Sequence, residues 1–178
     1  AFVRWIAPIL SFTAHEIWNF MPGDRTDAVF VTEWYPLQRL HAQEVINQSD
    51  WESILLAKEA INKVIEEQRN QGVIKGSLGA NVCLYAEPKL YDSLAKLGDE
   101  LRFVTITSKA QLLSIKDGSN IPESTLTGLR VSLEHSASEK CVRCWHFIDD
   151  VGSQPQHPEV CARCVDNISG HGEIRAHA

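Results

Sequence analysis

Residues 140–164 read KCVRCWHFIDDVGSQPQHPEVCARC. This stretch holds two Cys-x-x-Cys pairs, Cys141-Val-Arg-Cys144 and Cys161-Ala-Arg-Cys164, with 16 residues between them. A Cys-x-x-Cys turn presents two thiolates to one tetrahedral ion, and a second pair completes the coordination. Four sulfur ligands leave no open position, which is the pattern of structural rather than catalytic zinc. Disulfides and a redox Cys-x-x-Cys fit less well, because a thioredoxin-type motif has one pair, opening a helix after a strand. His146 and His157 lie in or beside the pairs, but four cysteines already satisfy the ion. The segment has few large apolar residues, so metal binding is expected to supply much of its folding free energy.

Trp145 follows the first pair directly, with Arg143 inside that pair, Arg163 inside the second and Lys140 just before the first. An exposed indole beside cations is what a single-stranded base contact requires: a π face for stacking and positive charge for phosphate. The competing reading has Trp145 capping the small metal-centred core. Residues 139–178 carry four Lys and Arg against six Asp and Glu, so any nucleic-acid contact is local rather than a basic carpet.

The whole chain has 178 residues, 44% hydrophobic and 22% charged, with formal net charge -6. That composition predicts a folded chain of one domain or two small ones. The acidic balance argues against a general nucleic-acid binder. No apolar run approaches the length of a membrane span, and no secretory signal is present. Four of five cysteines at metal spacing suit a reducing, cytoplasmic compartment. The fifth, Cys83, lies in an apolar run and is expected to be buried as a small hydrophobe. No Ser-His-Asp or Cys-His arrangement and no phosphate-binding loop is present, and His15-Glu16, His41 and Glu44 form no acid-base or metal set. Gly76-Ser77-Leu78-Gly79 reads as a turn. From the residues alone, the chain is a zinc-bearing binding module without a catalytic site of its own.

Ahead of the cysteines, Phe2, Trp5, Ile6, Ile9, Phe12, Ile17 and Trp18 recur at helical spacing, with a bend expected at Pro8. So many large apolar groups on one helix predict packing partners elsewhere. A start inside a helix, without Met, predicts a fragment of a longer protein. Residues 24–40 read as an irregular segment. A helix is predicted over about 50–71, opened by a Ser49/Glu52 capping box, striped by Ile54, Leu55, Ile61, Val64 and Ile65, and stopped by Gly72. Ala80–Ala86 reads as a strand, Pro88 to about Gly98 as a short helix, and Leu101–Thr107 as a strand on its β-branched content. Ala110–Ile115 and Leu129–Leu133 are weaker strands around a turn-rich loop. The predicted class is α+β: a piece of a helical bundle over 1–40, an α+β module over 41–137, and a four-cysteine zinc-ribbon-like finger over 138–178. The tail after about Ile168 is expected to be mobile.

At this point the residues resemble a known family. RWIAPILSFTAHEIW (4–18) is similar to a helix in the anticodon-binding bundle of class I aminoacyl-tRNA synthetases. The stretch from INKVIEEQRNQGVIKGSLGANVCLYAE through LGDELRFVTITS resembles the C-terminal junction region of bacterial isoleucyl-tRNA synthetases, and EKCVRCWH with CARCVDNI resembles their terminal zinc finger. The resemblance runs in order along the whole chain. It implies a parent ligase that joins isoleucine to its tRNA using ATP, expected to be cytoplasmic and monomeric. It implies one structural Zn²⁺ on Cys141, Cys144, Cys161 and Cys164. It further implies isoleucine tRNA and the rest of the synthetase as partners, with Trp145 at the anticodon side. No His-Ile-Gly-His-like or Lys-Met-Ser-Lys-Ser-like motif is present, so the nucleotide-binding and editing sites are expected to lie elsewhere in the parent. Related knuckles in formamidopyrimidine-type DNA glycosylases make a DNA-binding finger the alternative, without the N-terminal Pro-Glu or helix-two-turn-helix such an enzyme brings. A purely structural zinc staple is the third reading.

Overall fold

The structure, a computed structural model, describes residues 1–35, 45–170 and 172–177. Two compact units divide at residue 42. In the first, α1 (Phe2–Ile6) and α2 (Ser11–Phe20) meet at the expected break around Pro8. Ala7, Ala14, Trp18 and Val29 form a small buried cluster, with Val3 and Ile6 against it. The Trp18 indole N–H donates to the Thr26 carbonyl at 2.9 Å, and Arg4 and Arg25 lie over its ring. Within this unit Phe2, Ile9, Phe12, Phe20 and Trp34 stay exposed. Positions 36–40 of the expected irregular segment, with His41 and Glu44, lie outside the described residues.

The second unit is built around one sheet. Helix α3 (Gln48–Asn70) precedes β1 (Ala80–Ala86), and α4 (Pro88–Ala95) and α5 (Leu101–Thr105) carry the chain to β2 (Lys109–Ser114). β3 (Leu129–His135) completes the order β2-β1-β3, parallel to the left of β1 and antiparallel to its right. The register sets Val82 opposite Ala110 and Leu133, and Leu84 opposite Leu112 and Val131. Period-two alternation therefore turns Ala80, Val82, Leu84 and Ala86 to one face, where all four are buried in a core with Ile54, Ile61 and Ile65 of α3. The α+β class is what the structure shows.

Four local expectations change. The capping box of α3 is formed by Asn47 and Asp50, not Ser49 and Glu52: the Asn47 side chain accepts from the Asp50 amide and Asp50 accepts from the Asn47 amide, both at 3.0 Å. Both pairs satisfy the same spacing, and Asp50 wins because Lys96 donates to the same Oδ2 that accepts the Asn47 amide while Ser93 donates to its other oxygen, Oδ1. Leu55 is exposed, and Ala57 and Ala60 take its place in the buried stripe. Leu101–Thr105 is helical, not extended. Its β-branched residues are overruled by position: Leu101 and Thr105 are both buried, one helical turn apart, and the Thr105 hydroxyl donates to the Leu101 carbonyl at 3.0 Å. Ile106, at φ 55°, then ends the helix. Cys83 is half-buried on the sheet face away from α3, with its sulfur 3.9 Å from Gln111.

α6 (Ala162–Ser169) closes the described fold. The tail beyond it is tied down rather than loose. Glu173 pairs with Arg163 and Arg175 at 2.9 Å each, and the Ala176 and His177 amides donate to the two oxygens of Glu100 at 2.6 and 2.7 Å.

A candidate zinc centre and the face beside it

The cysteine segment hangs from the sheet through its own backbone and one hydroxyl. The Ser136 amide donates to the Gly79 carbonyl at 2.8 Å, extending the β1–β3 pairing by one step. The Phe147 amide donates to Ser108 Oγ at 2.6 Å, while that hydroxyl donates onward to the Leu78 carbonyl. The Phe147 ring stands edge-on to His135. These contacts place the first knuckle at the end of the sheet where β1 begins.

The knuckle itself is a tight hairpin. Lys140 and Phe147 form an isolated antiparallel bridge, the Cys141 amide donates to the His146 carbonyl, and the Trp145 amide donates back to the Cys141 carbonyl, the last two at 2.9 Å. Closing so short a loop puts Trp145 in the left-handed region at φ 66°. A bulky residue is strained there, where glycine would not be. The outcome is an indole turned away from the metal core: Trp145 is 58% exposed and stands outside the cluster of Cys141, Cys144, Cys161, Cys164, Ile148, Val151 and Val160. Lys140 places its ammonium 5.3 Å from the indole centroid.

The second knuckle opens α6. Cys161 stands at the N-cap position of that helix and Cys164 lies in its first turn, so the two sulfurs converge over one helical end. All four Sγ atoms lie within 4.8 Å of one another, and Cys144 and Cys161 are 3.8 Å apart. Tetrahedral zinc with ~2.3 Å bonds to sulfur sets its ligands about 3.8 Å from each other. Cys141, Cys161 and Cys164 have no solvent exposure, and the four thiols are unbridged by disulfides. The residues present therefore fit one zinc ion. His146 and His157 stand outside this group. His146 is buried with Nδ1 3.2 Å from the Cys144 carbonyl and its ring edge-on to Phe103.

The thiols do not share one environment. Burial pushes Cys161 and Cys164 above the ordinary thiol range. Burial acts the same way on Cys141, but amide donors from Cys144, Cys161 and Arg143 outweigh it and bring that thiol down to about 6. Metal uptake at neutral pH must then displace protons from the second knuckle, and acid opposes it.

The four candidate nucleic-acid residues divide in this setting. Lys140, Arg143 and Trp145 are exposed on the first knuckle. Arg163 is drawn inward: its side chain is 16% exposed, ion-paired to Glu173 and stacked 5.1 Å from the Phe103 centroid. Phe103 also carries Arg102 at 4.6 Å and Arg175 at 3.9 Å, so one ring joins α5, α6 and the tail. The sequence gives no sign of this seam, because Phe103 reads there as a strand residue. A mixed-charge cleft of about 570 Å³ lies nearby, lined in part by Arg102, Lys109, Glu134, His135 and Asp149.

Known proteins bear on the same segments. Residues 138–167 match the zinc finger found in FPG and IleRS, and residues 1–84 match the anticodon-binding domain of tRNA ligase. The chain is 49% identical over 179 residues to an isoleucine–tRNA ligase of Teredinibacter turnerae, and 47% identical over 180 residues to one of Pseudomonas paraeruginosa. A further 47% identity, over 177 residues, relates it to an isoleucine–tRNA ligase of Pectobacterium atrosepticum. Each alignment takes in 98–100% of this chain but 19% of the relative, so the chain spans about one fifth of the length of these ligases. No described helix is long and apolar enough to cross a membrane. From end to end this chain is similar to about one fifth of an isoleucine–tRNA ligase, and the anticodon-binding and zinc-finger models both match within it.

Proposed function

We propose that this chain is the tRNA-recognition end of an isoleucine–tRNA ligase, in which a structural zinc ion on Cys141, Cys144, Cys161 and Cys164 holds the first knuckle against the anticodon side of isoleucine tRNA. Zinc supplies rigidity here and no chemical step. The observation that carries the reading is Trp145, whose strained φ of 66° and 58% exposure spend stability on presenting an indole to solvent. Lys140 and Arg143 flank it with positive charge for phosphate. An unstacked base on that indole is worth about 1–3 kcal/mol. The parent's ATP-dependent joining of isoleucine to tRNA takes place elsewhere, and this region fixes the position of the RNA for it.

The chain's acidity confines the contact to this face, which suits a splayed loop read by stacking and base edges more than a duplex backbone. Binding of the zinc-loaded chain to isoleucine tRNA and to a non-cognate tRNA, at one stated salt concentration, tests the reading. Preference for isoleucine tRNA that falls on Trp145→Ala supports it. A Trp145→Gly chain separates recognition from folding: glycine takes φ 66° without strain, so zinc should be retained while tRNA affinity drops. Unchanged tRNA affinity in both variants, with zinc bound, would remove Trp145 from recognition.

A further inference from the structure

The two knuckles share a feature that four-cysteine coordination does not require. In each, the residue just before the second cysteine is an arginine: Cys141-Val-Arg143-Cys144 and Cys161-Ala-Arg163-Cys164. Arg143 does not fold back on its own knuckle. Its Nη1 donates to the sulfur of Cys164, in the other knuckle, at 3.6 Å. Arg163 instead turns its Nη1 to Glu173, with its Nε buried without a hydrogen-bond partner among the described residues. We propose that Arg143 is an outer-shell partner of the zinc site, crossing from the first knuckle to serve the Cys164 thiolate of the second.

Charge explains why such a donor is needed. Four thiolates around one Zn²⁺ carry a net charge of -2 into a core where Cys141, Cys161 and Cys164 have no exposure. Buried charge of that size is costly unless it is paired and hydrogen-bonded. The Arg143 guanidinium offsets half of that charge, and a donor to sulfur orients its ligand as outer-shell partners do in other metal sites. The crossing also has a mechanical effect. Arg143 of the first knuckle ties to a ligand of the second, so the two loops close as a unit.

The proposal rests on zinc occupying the four cysteines, and it is tested without RNA. Zinc affinity would be measured by chelator competition on the full chain, and the sulfur-to-metal charge-transfer band on the cobalt-substituted chain. Arg143→Met keeps length and removes charge and donor; zinc affinity should fall about tenfold or more, with the band moving to lower energy. Arg143→Lys should recover part of the loss. Glu173→Gln, which loosens the tail but leaves the Arg143 guanidinium on sulfur, should leave the band in place. Wild-type zinc affinity and an unshifted band in Arg143→Met would overturn the proposal. Failure of the unaltered chain to take up zinc would overturn the zinc reading itself, and the outer-shell role of Arg143 with it.

Discussion

The sheet module and the cysteine module sit side by side, yet different physics holds each of them. Around β1 the core is apolar: Ile54, Ile61, Ile65, Val82, Leu84, Leu94 and Leu129 are all nearly or fully removed from solvent. Around the knuckles the fully buried residues are three cysteines, helped by half-buried Ile148, Val151 and Val160. The first module can fold on hydrophobic burial alone. The second has too little apolar surface for that, and needs an ion to join its loops. What the difference teaches is a division of labour. A pre-formed sheet offers Gly79, Ser108 and Phe103 as anchor points, and the metal orders a strained loop on top of them.

Removing the metal breaks the comparison most severely. Structural zinc in small fingers contributes roughly 10–16 kcal/mol of apparent binding free energy. Chelation, or Cys161→Ser, should therefore unfold residues 140–169 while leaving the sheet folded. Amide exchange resolved by segment would show it: protection lost across the knuckles and α6 and retained in β1. Cooperative loss of both modules would mean that the sheet also depends on zinc.

The reverse experiment is smaller. Leu84 is completely buried in the central strand, and Leu84→Ala should cost about 2–5 kcal/mol. Denaturant unfolding followed by far-ultraviolet dichroism would show the lowered midpoint, with cobalt absorption still reporting four-sulfur coordination below it. Smaller again is the seam. Phe103→Leu keeps most of the apolar volume but removes the ring under Arg102, Arg163 and Arg175. At about 0.5–1 kcal/mol for each exposed cation–π contact, exchange of the 172–177 amides should quicken while zinc stays bound.

The most graded test is pH. Lys96, then the Asn47 amide and Ser93, hold the Asp50 carboxyl below its ordinary value of 3.8. A depressed carboxylate contributes its full stabilisation above that ordinary value and loses it as pH falls through the lowered native one. The sheet module should lose melting temperature with acid over that window, and Asp50→Asn should flatten the slope. Equal acid sensitivity in both chains would remove the Lys96–Asp50 pair as its source.

Much of this was legible in the residues where a local rule matched a local cause. The four cysteines declared their convergence by spacing alone, and β1 by strict alternation from Ala80 to Ala86. Pro8 and Pro88 marked a helix break and a helix start. The misreadings arose where tertiary partners chose between local options of equal merit. Asn47/Asp50 and Ser49/Glu52 both fit a capping box, and Lys96, distant in sequence, settled the matter through Asp50. Leu101–Thr105 has strand-like composition, but two buried positions one turn apart made it a helix. The tail was expected to be loose because nothing near it in sequence holds it; Glu100, 77 residues before His177, does. The inward partners of Arg163, Phe103 and Glu173, likewise cannot be paired with it from sequence.

The central claim is that the first knuckle, ordered by zinc, is the RNA-facing surface of this chain. Hydrogen–deuterium exchange of the zinc-loaded chain with and without isoleucine tRNA tests it most directly. The account predicts slowed exchange at residues 140–145 when tRNA is bound, lost in the chelated chain. A footprint confined to α1 and α2, with exchange at 140–145 unchanged, would contradict it and leave the zinc finger as a structural end-piece.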